Sequence, residues 1–378
     1  MKRKTSRSTW GTFLFGAAVG AGAIIIRNTR AQKHPDQRPE QVRVSKALDR
    51  ALQGARKDLN LPLDSDHRYV IFSDHHKGAR NQADDFQPCE KTYLRALDFY
   101  YDQGYNLIVP GDAEELWEEK VPSVMNAYPN VFESEARFYP GRYFRIVGNH
   151  DNNWEIPANV QEYLYPYFPD IPLYHSLVMR YEGLRETGGE VFLAHGHQGT
   201  LDADVFDFIP PVVLPLYREF QNLTGLGRTC PSEDACLRAD HDTMLYRWAR
   251  KQPKLILIAG HTHRPVWGSV THLEKLISQL QAMQATSPVD RPPDFAEQVA
   301  RLKAEIEERQ LKHPPCTDTL KTKPCYFNTG CCRFEDGDIT GIELDGRQIR
   351  LVKWGAQAGT IVRDEPEATH LASLFVAL

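Results

Sequence analysis

Seven side chains that can bind metal ions follow five short apolar segments of this chain. Oxygen and imidazole ligands without a thiolate suit Mn, Fe or Zn better than a cysteine-based structural site. Two ions about 3.5–4 Å apart need a bridging carboxylate, and about seven ligands then leave each ion room for water. We therefore predict a site for two divalent metal ions, with Mn, Fe and Zn all open. The seven residues are Asp74, His76, Asp112, Asn149, His195, His261 and His263.

Taken singly, each of these residues has an ordinary structural explanation. A lone histidine at a strand end is usually a hydrogen-bonded structural residue, and an aspartate after a glycine usually forms a turn. Seven candidates at successive strand ends are much harder to explain in that way. The prediction of a metal site therefore rests on the set and not on any one member.

The elements that position these residues are predicted from apolar runs that end abruptly in turns rich in Gly, Asp, Asn or His. Continuous apolar runs are typical of strands that are buried on both faces. Helical patterns between them, such as residues 90–101, indicate an α/β fold. In such sheets ligands bind beyond the carboxyl ends of the strands, which is where all five turns lie. The predicted strands cover residues 69–72, 107–109, 143–147, 191–194 and 255–258.

The order of the turn motifs resembles that of the calcineurin-like metallophosphoesterase superfamily. The resemblance covers about residues 66–355, with insertions at about 200–253 and 271–324. It implies a four-layer α-β-β-α sandwich, in which two mixed sheets are flanked by helices and the insertions are helical. The motifs are Asp-x-His at 74–76, Gly-Asp-x-x-Glu at 111–115, Gly-Asn-His-Asp at 148–151, His-Gly-His at 195–197 and Gly-His-Thr-His at 260–263.

The resemblance implies two overlapping ligand sets that share one bridging aspartate, Asp112. The set expected to hold the first ion consists of Asp74, His76, Asp112 and His263. The set expected to hold the second ion consists of Asp112, Asn149, His195 and His261.

The resemblance also implies roles for neighbouring residues in catalysis. Two cations would neutralise the phosphate oxygens and activate a water that attacks phosphorus in line. His150 is expected to contact the phosphate and to protonate the leaving group, which suits an imidazole near neutral pH. Asp151 is expected to orient His150 by accepting its second N–H. His197 and Arg264 are candidates for substrate contact, with a supporting position behind the ligands as the alternative.

Two branches of the superfamily differ from this chain at particular positions. Protein Ser/Thr phosphatases carry an arginine four residues after the bridging aspartate, and none stands in the expected place after Asp112. The Ser73-Asp74 start and residues 260–265 are similar to UDP-diacylglucosamine pyrophosphohydrolases, which have Arg where this chain has His150. We expect a hydrolase of a phosphate ester or pyrophosphate bond in a substrate of unknown class. The competing hypothesis is a scaffold or interaction protein that keeps the fold without turnover.

The first 26 residues differ from the rest of the chain. A basic start at residues 2–7 precedes residues 10–26, which carry no charge over 17 positions. A helix of that length reaches about 25 Å, which is marginal for a bilayer. We predict an uncleaved signal anchor that spans the membrane and holds the catalytic domain outside the cytoplasm, with a cleaved signal peptide or a buried helix as alternatives. The polar residues 27–40 are predicted to form a linker.

Composition does not indicate a nucleic-acid partner, and it leaves the redox compartment open. The formal net charge of −5 gives no basic excess of the kind that indicates a nucleic-acid partner. Seven cysteines are present, and clusters such as Cys230 with Cys236 suit disulfides in an exported protein. Reduced buried thiols and a structural zinc site are the alternatives.

The remaining segments are assigned from their apolar spacing. Residues 41–65 are predicted as an N-terminal helical segment, because apolar residues recur at helical spacing over 41–59. Residues 271–312 are predicted as a helical hairpin that packs on itself or forms a cap or partner surface. Residues 356–378 are predicted as a C-terminal tail that packs on the domain or touches membrane.

Overall fold

The structure is a computed structural model that describes residues 41–378 except 82–83, 184–187, 201–234, 288–290 and 313–322. The predicted anchor at 1–26 and linker at 27–40 lie outside the described residues and stay predictions. Within the described ranges, no helix is long and apolar enough to cross a membrane.

The first sheet has the spatial order β1-β6-β7-β8-β11-β9-β10 within the described chain. Strands β7, β8 and β11 run parallel to one another. Strand β6 is antiparallel to its neighbour β7, and β9 is antiparallel to its neighbour β11. This sheet is therefore mixed. Its strands are β1 (Asn60–Pro62), β6 (Ser176–Tyr181), β7 (Gly189–Ala194), β8 (Leu255–Ala259), β9 (Pro265–Trp267), β10 (Val270–Thr271) and β11 (Tyr326–Thr329).

The second sheet has the order β14-β13-β12-β2-β3-β4-β5 and is also mixed. Strands β2 to β5 run parallel, and β12, β13 and β14 extend the sheet with antiparallel pairs. Its strands are β2 (Tyr69–Ile71), β3 (Asn106–Pro110), β4 (Tyr143–Ile146), β5 (Leu173–Tyr174), β12 (Ile339–Leu344), β13 (Gln348–Gln357) and β14 (Thr360–His370).

Helices flank the two sheets. They are α1 (Gln41–Asp58), α2 (Glu90–Asp102), α3 (Val121–Ala127), α4 (Pro129–Ala136), α5 (Ala235–Ala249), α6 (His272–Ala285), α7 (Phe295–Lys312) and α8 (Leu371–Ala377). Short helical turns occupy Asn152–Glu155, Pro157–Asn159 and Val160–Leu164. Helices α6 and α7 pack on each other, as the predicted hairpin requires.

Side chains that point alternately to the two faces of each strand form three apolar layers. Ile71 and Ile258 point into a core between the two sheets, because successive side chains of a strand face opposite ways. Val70, the neighbour of Ile71 in β2, faces the other side, where the second sheet packs on α2, α3 and α4. Leu257 faces the outer side of the first sheet, where α1 and α5 pack. The predicted four-layer sandwich of two mixed sheets and flanking helices is confirmed.

Two predicted boundaries differ from the structure. The predicted helical segment 41–65 ends as a helix at Asp58, and Asn60–Pro62 form an edge strand parallel to β6. An edge position tolerates Pro62, which has no N–H to donate. The predicted tail 356–378 is part of the domain, because β14 pairs along β13 and α8 buries apolar side chains in the core between the sheets.

Four cysteines lie within the described residues with their side chains and are buried as free thiols. They are Cys89, Cys325, Cys331 and Cys332. For these four, the structure matches the alternative of reduced buried thiols and not the disulfides suggested by clustering. Cys230 and Cys316 lie outside the described residues, and the side chain of Cys236 is likewise not described.

Helix α8 offers a direct test of this packing through two adjacent residues. Phe375 is fully buried and stacks on Tyr181 with ring centroids 5.4 Å apart, whereas Val376 is 69% exposed. We expect Phe375→Ala to lower the free energy of unfolding by about 3–5 kcal/mol, because it leaves a cavity between the sheets. Val376→Ala is the matched control, with a change within about 0.5 kcal/mol. Equal losses in denaturant unfolding would contradict the assigned packing of α8.

Candidate metal centre

The turns that follow β2, β3, β4, β7 and β8 converge at one edge of the two sheets. Left-handed backbone is uncommon outside glycine and costs about 1–3 kcal/mol per residue. Half of the ten described non-glycine residues with positive φ are predicted ligands. The fold therefore holds these side chains at an energetic cost. The five residues are Asp74, His76, Asp112, His261 and His263.

Two glycines of the motifs are required because aspartates from neighbouring loops approach them closely. A Cβ atom at Gly148 would collide with the side chain and backbone of Asp112. A Cβ atom at Gly260 would collide with the carboxylate of Asp74. The Gly-Asn and Gly-His pairs thus let each loop lie directly against an aspartate from a neighbouring loop.

A first ligand group consists of Asp74, His76 and His263, all buried. Nε2 of His263 lies 3.2 Å from Oδ1 of Asp74 and 3.1 Å from Nε2 of His76. Ligand atoms that each lie about 2.1 Å from one ion are roughly 3.0–3.4 Å apart, so this spacing fits a shared metal ion. Such an ion also explains why two imidazole nitrogens face each other.

A second ligand group consists of Asp112, His195 and His261, with Asn149 beside them. Nε2 of His195 lies 3.0 Å from Oδ2 of Asp112 and 3.1 Å from Oδ1 of Asn149. Nε2 of His261 is buried and has no hydrogen-bond partner among the described residues. A buried polar atom without a partner is costly, and a metal ion would satisfy it. The donor set of the second group therefore also fits an ion.

Asp112 lies between the two groups. Its Oδ2 atom is 3.0 Å from Nε2 of His195 in the second group and 3.8 Å from Nε2 of His76 in the first. Its other oxygen accepts a hydrogen bond from the backbone N–H of His150 at 2.8 Å. One carboxylate oxygen thus approaches ligands of both groups, as a bridging ligand must.

The electrostatics of the centre favour ligand forms of these side chains. Burial raises the pKa of Asp112, but the adjacent His195 and His150 outweigh burial and hold it well below its usual range. Burial lowers the pKa of His263 to about 3 and lowers that of His261, so both imidazoles are neutral at pH 7. Burial opposes protonation of His195, but Asp112 and Asp74 outweigh it and raise its pKa to about 9. A metal ion would take the place of that proton.

Hydrogen bonds fix which ring nitrogen faces the centre. Nδ1 of His195 donates to the carbonyl oxygen of Pro110 at 2.9 Å, which directs Nε2 toward Asp112. Nδ1 of His76 lies 2.8 Å from Oε2 of Glu115, and Nδ1 of His150 lies 2.8 and 2.9 Å from the two oxygens of the same carboxylate. Glu115 therefore orients both a predicted ligand and the predicted acid.

This corrects the expected partner of His150. Asp151 accepts hydrogen bonds from the backbone N–H groups of Gly148 at 2.6 Å and Ala113 at 2.9 Å. Its carboxylate is therefore engaged by these amides and not by the ring of His150. Glu115, the last residue of the Gly-Asp-x-x-Glu motif, takes that position. The motif itself was the signal that could have identified it.

Comparison with family models agrees with the geometry. A model described as calcineurin-like phosphoesterase matches residues 67–265, just over half of the chain. This chain belongs to the calcineurin-like phosphoesterase family. A comparison with curated proteins found no match.

Two solved structures that resemble this phosphoesterase are remote in sequence. A dimetal phosphatase from Danio rerio is 10% identical, with a TM-score of 0.37 over 80% of this chain and 100% of that one. Vacuolar Protein Sorting 29 from Cryptosporidium parvum is 11% identical, with a TM-score of 0.30 over 80% of this chain and 98% of that one. The family assignment rests on the family model.

A buried ion network, which sequence reasoning missed, connects three loops of the phosphoesterase. Nζ of Lys77 lies 3.3 Å from Glu114 and 3.0 Å from Glu135. Arg145 pairs with Glu114 and lies 3.5 Å from Asp151. Lys77, Glu114 and Asp151 each follow a predicted ligand by one or two residues, so the network ties together the turns after β2, β3 and β4. The signal in the sequence was Arg145, a charge within a short buried strand.

Helix α5 also contributes residues that sequence reasoning missed. His241 lies with its ring 5.3 Å from that of His261, and its Nε2 atom is 2.5 Å from the carbonyl oxygen of Gly196. Oδ1 of Asp242 accepts hydrogen bonds from the hydroxyls of Thr262 and Tyr326 at 2.9 and 2.7 Å. These contacts support the loops that carry His195, His261 and His263.

The two candidates for substrate contact lie beside the centre. His197 has its ring 5.2 Å from that of His195, and burial lowers its pKa to about 3. Arg264 is half-buried, with Nη2 3.0 Å from Oδ2 of Asp242. Trp117 stacks on His150 with ring centroids 4.0 Å apart, a contact that no motif of the sequence indicates.

The buried network predicts a large loss of stability from one neutral substitution. Lys77→Met removes the cation and leaves Glu114 and Glu135 short of a charge partner, so we expect the free energy of unfolding to fall by about 3–5 kcal/mol. Lys353 is the matched control, because its side chain is 47% exposed where it pairs with Asp338. Lys353→Met should cost about 1 kcal/mol or less in denaturant unfolding. Equally small losses would show that the network does not hold the loops.

Proposed function

We propose that this chain is a two-metal-dependent hydrolase of a phosphate ester or pyrophosphate bond, with water as the nucleophile. The observation that carries the proposal is the position of Asp112 Oδ2, 3.0 Å from one ligand histidine and 3.8 Å from another. A two-ion centre needs one shared carboxylate at this place. All seven candidate ligands are present, which favours an enzyme over a scaffold that has lost its metals.

Asp112 would bind both ions, and the other proposed ligands divide between the two. Asp74, His76 and His263 would bind one ion, and His195, His261 and Asn149 would bind the other. When bound, the pair of ions supplies positive charge to the phosphate oxygens and lowers the pKa of water. The protein contributes neutral imidazoles, ionised carboxylates and a buried setting in which these charges act strongly.

His150 is proposed to donate the proton that the leaving oxygen needs. Its Nδ1 atom is held by Glu115, so the opposite edge of the ring, which carries Nε2, faces away from that carboxylate. Glu115 stays ionised beside this ring, because His150 and His76 outweigh burial and keep the pKa of Glu115 lowered. The stacked Trp117 fixes the plane of the imidazole. An oriented imidazolium beside a leaving group is an effective general acid near neutral pH.

Asp112→Asn tests the shared ligand. We expect wild-type protein to bind two Mn ions per chain and to hydrolyse at least one of p-nitrophenyl phosphate, its bis-ester and a nucleotide sugar. The variant should bind one ion or none, and its turnover should fall at least about 100-fold, since an amide bridges two cations poorly. Metal content by atomic emission and initial rates give both readouts. Asp98→Asn, at a surface ion pair, is the control. A variant that keeps two ions and full rate would contradict the bridging role.

His150→Ala separates the proposed acid from a metal ligand. We expect turnover to fall about 10²–10⁴-fold while metal content is retained. The loss should be larger for phenyl phosphate than for p-nitrophenyl phosphate, because the poorer leaving group depends more on protonation. Loss of a metal ion instead would make His150 a ligand, which its proximity to His76 and Asp112 makes a real alternative.

A further inference from the structure

A cavity of about 480 Å³ lies on the second sheet, away from the candidate metal centre. It is lined in part by Arg68, just before β2, and Tyr105, just before β3. Strands β2 and β3 run parallel, and the candidate ligands Asp74 and Asp112 follow their carboxyl ends. The cavity therefore lies at the amino ends of these strands, and none of the candidate ligands lines it. Its volume is within the range of about 300–1,000 Å³ that is common for small-molecule sites.

Two arginines hold the three carboxylates that line this cavity. Glu343 accepts hydrogen bonds from Nε and Nη2 of Arg363 at 2.8 and 2.7 Å. Oε2 of Glu365 lies 3.1 Å from the same Nη2 atom. Nη2 of Arg350 lies 2.7 Å from Oδ2 of Asp345. Each acid of the cavity therefore has a guanidinium partner.

Two further guanidinium groups line the same cavity outside this ion network. Arg68 and Arg347 are exposed, and neither side chain has an ion pair or a hydrogen bond with any described residue. The lining thus contains four guanidinium groups and three carboxylates, so positive charge is in excess by one. Concave surfaces with such an excess attract anions. The two uncommitted arginines can in addition bind phosphate oxygens with paired, charge-assisted hydrogen bonds.

Aromatic side chains form another part of the cavity wall. Phe99 of α2 is half-buried, and the ring of Tyr105 has its centroid 5.7 Å from Cζ of Arg68. Nucleobases stack on aromatic rings and on guanidinium groups, typically with about 1–3 kcal/mol per base. The carboxylates of Asp345 and Glu365 remain 21% and 37% exposed and can accept hydrogen bonds from the amino group of a base. The lining therefore suits a ligand that joins a phosphate to a planar ring with an amino group.

We propose that this cavity binds a mononucleotide at a second site, separate from the candidate metal centre. The phosphate would pair with Arg68 and Arg347, and the base would pack against Phe99 and Tyr105. The site binds its ligand without breaking a bond. The inference does not depend on the proposed hydrolase activity, because no metal ligand takes part in it.

Calorimetric titration of the full-length, EDTA-treated protein with AMP tests this site without turnover. We expect wild-type protein to bind one AMP per chain, and Arg68→Gln and Arg347→Gln each to weaken binding at least about tenfold. Arg247→Gln is the matched control, because Arg247 is an exposed arginine on α5, which packs on the first sheet. Circular dichroism confirms that each variant is folded.

The same titration with fragments of the nucleotide tests the two halves of the site. Adenosine and inorganic phosphate should each bind at least about tenfold more weakly than AMP, because each makes only part of the contacts. No binding of AMP by wild type, equal AMP affinities in all four proteins, or phosphate bound as tightly as AMP would overturn the proposal.

Kinetics with the metal-loaded protein separate this cavity from the candidate metal centre. For Arg68→Gln and Arg347→Gln, we expect kcat/KM for p-nitrophenyl phosphate to stay within about twofold of wild type, because the cavity lies at the other end of the strands. A loss of turnover as large as the loss of AMP affinity would place these arginines at the centre and overturn the second site. If wild-type protein hydrolysed none of its three test substrates, the proposed function would fail, and the calorimetry would still decide the cavity.

Discussion

The carboxylate of Asp112 is the point on which the candidate centre depends. It is 1% exposed and lies between the two ligand groups. The loops after β2 and β8 form the first group, and the loops after β4, β7 and β8 form the second. A buried anion is costly unless opposite charge and hydrogen bonds surround it. Here a backbone N–H and the imidazole of His195 supply part of that compensation, and two cations would supply the rest. The loops of both sheets thus meet around this carboxylate.

The surrounding structure offsets the cost of holding that arrangement. Five ligand residues adopt left-handed backbone, and glycines at 148 and 260 allow loops to lie against Asp112 and Asp74. Rigid apolar strands beneath the turns and the network around Lys77 and Arg145 oppose relaxation of these loops. Glu115 adds a second constraint, because its carboxylate contacts Nδ1 of both His76 and His150 and so orients the two rings. Stability built into the sandwich is thus used to keep polar groups in strained, convergent positions.

The candidate ligands were predictable from the sequence, whereas the hydrogen-bond partners that other loops supply behind them were not. The strand-end turns were found because an apolar run and its polar ending lie side by side in the sequence. Asp151 was assigned to His150 for the same reason, but its side chain turns back to the amides of Gly148 and Ala113, and Glu115 arrives from the neighbouring loop. Strand β14 was missed because it is a mostly exposed edge strand containing Pro366, opposite a register shift in β13.

The proposed centre requires two ions at one aspartate, and anomalous diffraction from crystals soaked in Mn²⁺ detects them directly. We expect two anomalous peaks about 3.5–4 Å apart, on either side of the Asp112 carboxylate. The peaks should also lie within coordination distance, about 2.0–2.3 Å, of the histidine nitrogens of the two ligand groups. A single peak, or peaks that do not contact Asp112, would contradict the account.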